Sequence, residues 1–156
     1  MTAERLCSPV AGHLDPNWAW VDSTPIGHPN RKERKPMATH DTCCTIVPYF
    51  DVPADYMATF KAECVKFVEL TRKEPGCLYY GFSFNGNVAH CREGYVDGDA
   101  ALAHVANVGA PLGELLKHVK MTRLEVHGPE SELAKLRGPL TPLAPQFFVL
   151  ELGFRR

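Results

Sequence analysis

Much of what would tie a protein to a membrane, a nucleic acid or a metal is missing from this chain. No apolar run approaches the roughly 18 residues that a membrane-spanning helix needs. Seventeen Lys and Arg against 18 Asp and Glu leave a formal net charge of -1, so neither a nucleic-acid surface nor an acidic-lipid surface is indicated. The opening residues MTAERLCSPVAGHLDP have no charged region followed by an apolar one, so no secretory signal is expected there. Cys7, Cys43, Cys44, Cys64, Cys77 and Cys91 include no CxxC pair, and no Cys/His pair with ligand spacing has a second pair to match it. No metal site is expected, and the cysteines read as reduced thiols of a cytoplasmic protein, several of them core filler. Tryptophan is scarce, and Trp18 and Trp20 both fall in the first 40 residues.

What is present divides in two. Residues 1–40 are rich in Pro, Asn and charge with no sustained period, and they read as an irregular extension. Two readings of it stay open: a disordered tail, or an arm that docks its two indoles on the body or on a second subunit. The run RKERK reads as a solvated charge cluster. Residues 41–156 are regular and long enough to bury a core of their own. CCTIVPYFDV is a first strand, with Pro48 suggesting an edge or a bulge. A helical period follows, with Met57, Phe60, Cys64, Phe67 and Thr71 on one stripe, Pro53 in its first turn and Pro75-Gly76 as its stop.

CLYYGFSFNGNVAHCREGYV is a hairpin about Asn85-Gly86, a pair suited to a type I′ turn. Either two-residue loop available there places Leu78, Tyr80, Phe82 and Phe84 on one face with Ala89, Cys91, Glu93 and Tyr95. A second helix carries Leu102, Val105 and Ala106 on its apolar side, and Gly109 and Pro111 are expected to break or kink it. MTRLEVHG reads as a strand, PESELAKLRG as a short helix stopped by Gly138, and QFFVLELGF as a closing strand. Strand–helix–hairpin–helix–strand is the split βαβ, ferredoxin-like α+β arrangement: an antiparallel sheet with helices on one face. Several strands look apolar on both sides, so a second copy of the sheet is the expected cover, making a homodimer.

Glu74-Pro75-Gly76-Cys77 with Tyr80, then Glu93, Tyr95, Asp97, Ala101, Leu102 and His104, resembles the antibiotic biosynthesis monooxygenase (ABM)-type domain of the dimeric α+β barrel superfamily. The likeness spans roughly residues 43–155 and leaves the extension uncovered. It implies a pocket between sheet and helices in each subunit. Some members oxidise electron-rich aromatics with O2 and neither metal nor flavin; others degrade haem, isomerise small metabolites or have no known activity. The tryptophan frequent after the third-strand acid is Tyr95 here, which counts against haem.

His104 is the first candidate catalytic residue. Its ordinary pKa near 6.5 suits a general base or proton relay, and the bland alternative is a helix histidine bonded to a carbonyl. Glu93 is the second: it would orient the ring and stabilise the imidazolium, or else form a structural ion pair with Arg92 or Arg123. Tyr49, Tyr80, Phe82, Phe84, Tyr95 and Asn107 are expected to line the substrate pocket; His118 is a weaker candidate, and His90 falls on the opposite hairpin face. The expected chemistry is cofactor-independent oxygenation of a small electron-rich aromatic or quinol, with O2 as co-substrate. A non-oxidative isomerase or cyclase using the same pocket, and a non-catalytic ligand-binding or stress-associated dimer, stay open beside it.

Overall fold

A computed structural model describes residues 40–156. Readings made above for residues 1–39, among them Trp18, Trp20, Cys7 and the RKERK run, lie outside the described residues. The described residues form a ferredoxin-like α+β domain whose five-stranded sheet is ordered β2-β3-β1-β4-β5.

β1 (Cys44–Asp51) lies at the centre of that sheet, between β3 (Val88–Tyr95) and β4 (Lys120–Gly128). Pro48 therefore marks no edge. It has no N–H to give a ladder, and the register against β4 slips just after it, between Tyr49 and Phe50. Helix α1 (Met57–Thr71) buries Phe60, Cys64, Phe67 and Thr71, the stripe its period indicates. Pro53 precedes the helix instead of opening it.

β2 (Cys77–Asn85) and β3 make the hairpin, closed by Gly86 and Asn87, because Asn85 pairs with Val88. Gly86 has φ +56° and no other residue of the turn is positive, so the turn is of the II′ kind and sits one residue later than Asn85-Gly86. The shared face survives the shift: Tyr80 pairs with Glu93, Phe82 with Cys91 and Phe84 with Ala89. Leu78 leaves that face. A bulge between Cys77 and Tyr79 sets Cys77 opposite Tyr95 and turns Leu78 outward.

Helix α2 (Gly98–Leu115) starts on Asp97, whose Oδ1 accepts the Ala100 N–H at 2.8 Å. It runs unbroken through Gly109 and Pro111. Its buried side is Ala101, His104, Val108 and Leu115, while Leu102 and Val105 are half-buried and Ala106 is exposed. Helix α3 (Glu130–Arg137), a 3-10 turn (Thr141–Leu143) and β5 (Gln146–Val149) complete the chain. Gly138 follows α3 in right-handed geometry, so it is not the left-handed stop that glycine usually supplies. β5 is shorter than QFFVLELGF and pairs parallel to β4, which leaves the sheet mostly antiparallel.

The interior holds two clusters. One gathers Ile46, Tyr95, Leu124, Val126, Leu133 and Leu136 at the α3 end; the other gathers Phe50, Phe60, Phe67, Ala89, Val108 and Leu115 at the α1 end. Cys43, Cys44, Cys64, Cys77 and Cys91 are free thiols. No helix among the described residues is long and apolar enough to cross a membrane.

Where α1 turns into β2, Gly76 touches α2. A Cβ built there would lie 2.5 Å from the Ala100 Cβ, and the Gly76 carbonyl accepts the Val96 N–H at 2.9 Å. Gly76→Ala should therefore push the turn off α2 and cost about 1–3 kcal/mol, as overpacking does, read as a lower denaturation midpoint at unchanged m-value. An unchanged midpoint would mean the turn is free to move.

Candidate functional site

Three elements bring one imidazole between two carboxylates. The α1–β2 turn, seated on α2 at Gly76, carries Glu74. α2 carries His104 inward on the line Ala101–His104–Val108. β3 carries Glu93 on its inner face, opposite Tyr80. His104 Nδ1 lies 3.1 and 3.0 Å from the two Glu74 oxygens, and its Nε2 lies 2.9 Å from Glu93 Oε2. Asn107, one turn along α2, donates from Nδ2 to Glu74 Oε1 at 2.6 Å. The Tyr95 hydroxyl donates to Glu93 Oε2, the oxygen that also meets His104. His104 and Glu93 side chains are each only 4% exposed, and Glu74 is 15% exposed.

Burial opposes a charge on His104, but the hydrogen bond and charge of Glu93, then those of Glu74, outweigh it and raise its pKa above the ordinary histidine value. The ring thus favours the imidazolium, with one N–H given to each carboxylate. Burial first, then the charge of Glu93, drives the Tyr95 hydroxyl strongly toward its neutral form, which keeps it a donor. Tyr80 is held neutral by burial first and by the nearby charge of Glu93.

Glu93 and His104 stand on the wall of a chamber at the seam of the two core clusters. Its volume is about 60 Å³, several times what one water occupies by the same measure. Phe50, Phe67, Tyr80 and Phe82 supply aromatic lining, and Val105, Val108, Leu112, Leu115, Leu140 and Leu143 supply aliphatic lining. Glu93 is the one carboxylate among the described residues that line it.

Of the residues singled out in the sequence, the structure brings His104, Glu93, Tyr80 and Phe82 to this chamber. It places the others elsewhere. Tyr49 stands on the opposite sheet face, its ring tilted against His90 with centroids 5.3 Å apart, because alternate strand residues face opposite ways. Phe84, two residues beyond Phe82 on the same face, overshoots the chamber and packs edge-on against Phe60 near the surface. Tyr95 is fully buried behind Glu93 and serves it without lining the chamber. Asn107 is exposed and holds Glu74. His118 stacks on Tyr56, away from the site. Glu93 meets neither Arg92 nor Arg123; the latter pairs with Glu125. Glu74 entered the sequence reading only as part of the Glu74-Pro75-Gly76-Cys77 motif, and its place in the site was missed. Its signal lay in an acid just ahead of a Pro-Gly turn. Among the described residues, no group of three or more His, Cys, Asp or Glu side chains is placed to hold a metal ion.

The chain is similar to MupZ from Pseudomonas fluorescens, at 49% identity over 79% of this chain and 94% of that one, with a TM-score of 0.73. A conserved protein from Methanosarcina mazei Go1 shares the fold at 21% identity, over 55% of this chain and 91% of that one, with a TM-score of 0.52. A structure described as an antibiotic biosynthesis monooxygenase matches at 18% identity, over 53% of this chain and 92% of that one, with a TM-score of 0.48. No family model and no curated protein matches the chain.

The raised pKa of His104 fixes the sign of a stability effect. A proton held more tightly in the folded state stabilises fully below the unfolded histidine pKa of about 6.5 and is lost as pH rises through the folded value. Unfolding free energy should therefore decline as pH climbs above about 6.5, and His104→Gln should flatten that slope. Chemical denaturation of both proteins across pH 5–9 measures it. A wild-type stability that instead rises through this window would contradict the imidazolium.

Proposed function

The chain belongs to the family that includes MupZ and carries an ABM-type domain, and from that premise we propose that it is an acid–base enzyme acting on a small apolar molecule held in the chamber. The supporting observation is Glu93, a buried carboxylate aimed at an otherwise apolar space, with its charge steadied by His104 and Tyr95. The division of labour differs from a histidine base assisted by an acid. Both ring nitrogens of His104 are engaged, so the ring has no lone pair to offer a substrate while it is charged. Glu93 is the proton acceptor, and His104 balances its charge. Once Glu93 holds a proton, it can return it to a second position on the same substrate.

That cycle suits a non-oxidative isomerisation or cyclisation. A proton that leaves one atom and arrives at another need not strand an anion in the chamber. Stranding one is costly, because burying an uncompensated charge among apolar walls is strongly unfavourable. The imidazolium is already divided between two carboxylates. Apolar walls and exclusion of water strengthen every interaction with Glu93.

A second reading has its own support. Phe50, Phe67, Tyr80 and Phe82 offer flat faces to an electron-rich aromatic, and Glu93 could take a phenolic proton before electron transfer to O2. It requires the phenolate to accumulate in the chamber, which is why it stands second. In either reading the working form is a homodimer that covers the outer sheet face, where Tyr79 and Phe148 remain about 40% exposed.

Turnover of a panel of small apolar ketones, alkenols and phenols by the purified full chain, in air and under anaerobic conditions, separates these readings. Product formation should persist without O2 and fall about 10²–10⁴-fold in Glu93→Gln, the usual loss when an acid–base group is removed. An absolute need for O2 would transfer the assignment to oxygenation. Ligand binding with no turnover under either atmosphere would leave a non-catalytic binding protein.

A further inference from the structure

The geometry points to a proton relay from the chamber to the protein surface, running Glu93–His104–Glu74, with Glu74 as its outer end. It deepens the acid–base reading above and rests on it for its purpose. Three observations support it. The three side chains form one unbroken hydrogen-bonded line, 2.9 Å on the chamber side and 3.0–3.1 Å on the other. Exposure grows along that line, from 4% at Glu93 and His104 to 15% at Glu74. Glu74 also lines a separate surface cleft with Thr71, Arg72, Cys77 and Tyr80. Tyr80 lines both cleft and chamber, and the relay passes beside it.

The steps balance. Glu93 takes a proton from the substrate and becomes neutral. His104 thereby loses one of the two negative partners that held its charge, and its Nδ1 proton passes to Glu74. Glu74 releases that proton to water in the cleft. The line has gained one proton and given up one. Run in reverse, it delivers a proton from solvent to the chamber. The polar and titratable groups facing His104 are Glu93 and Tyr95 from β3, Tyr80 from β2, Asn107 on α2 and Glu74 from the turn. Tyr95 and Tyr80 are held neutral, and Asn107 carries no charge, so the two carboxylates alone trade protons with the ring. Asn107 is a positioning residue: its bond to Oε1 keeps the Glu74 carboxylate turned to the ring.

The test needs no substrate. The full chain labelled with ¹⁵N-histidine shows its ring N–H groups by NMR, and the His104 signals are those absent from His104→Gln. The relay requires Nδ1–H to exchange with water faster than Nε2–H, by about tenfold, the factor that separates groups one pK unit apart. Glu74→Gln, which cannot accept the proton, should slow Nδ1–H exchange by a similar factor. Equal rates at the two nitrogens, or faster exchange at Nε2, would show the proton leaving by the chamber and overturn the proposal. That comparison uses the unmodified protein and stands even if Glu74→Gln does not fold. Unchanged Nδ1–H exchange in a folded Glu74→Gln would also overturn it. A failed turnover assay would leave these rates intact, and failed rates would leave the acid–base reading intact.

Discussion

A charged imidazole shared by two carboxylates in the buried interior is the constraint to which the surrounding structure answers. Ions removed from water lose solvation worth several kcal/mol each, and attraction between them repays that only with good geometry and satisfied remaining lone pairs. Every member of the line is fixed accordingly. Glu74 is held by Asn107 and by a turn that touches α2 at Gly76. Glu93 is held by the Tyr95 hydroxyl and by its place in the ladder between β2 and β1. His104 is fixed by both carboxylates and packed between the Tyr80 and Tyr95 rings, with centroids 5.5 and 4.9 Å away. Loss of any one partner would leave the others buried and unbalanced.

The two sides of the ring differ in kind. Toward the chamber, Glu93 faces carbon almost exclusively. Toward the turn, Glu74 faces a cleft that Arg72 and Thr71 also line. An effective dielectric that falls along a line only a few ångströms long makes Glu93 far more sensitive than Glu74 to a change of charge nearby. In the proposed chemistry, a substrate that gives Glu93 its proton disturbs the whole line, and solvent at Glu74 absorbs the disturbance. The neutral tyrosines beside the ring serve this asymmetry by adding polarity without adding charge.

Period-two and period-3.6 patterns made most of the fold legible. The α1 stripe of Phe60, Cys64, Phe67 and Thr71 and the hairpin face of Tyr80, Phe82 and Glu93 follow from spacing alone, even though the turn closes one residue later than Asn85-Gly86. Where local rules failed, a tertiary contact overrode them. Pro48 sits in a central strand, opposite Leu124 of β4, while the pairing of β1 with β3 lapses at Val47 and Pro48. Pro111 is carried inside α2, whose ends are fixed by the Asp97 cap and by Leu115 in the core. Leu78 was lost to a bulge, and a bulge leaves no mark on alternation. In α2 the apolar side expected from Leu102, Val105 and Ala106 is not the one that is buried, which is Ala101, His104, Val108 and Leu115. The aromatic site residues were legible only as far as the face they share: Phe84 lies on the right face and beyond the chamber, Tyr49 on the wrong one. Glu74 was illegible as a partner of His104, because 30 residues separate them and only the packing of the turn on α2 brings them together.

The fold itself does not choose a reaction. The same sheet and helices could carry a neutral histidine with a free nitrogen, and that protein would deprotonate substrates directly. Here the second carboxylate removes that option. Glu93 first, and then Glu74 at Nδ1, hold the ring charged, and a charged ring can only donate. In the proposed chemistry the role of proton acceptor therefore falls one residue inward, to Glu93. An acid in the turn between α1 and β2, contributing nothing to the chamber wall, thus reaches the chamber through the imidazole it holds.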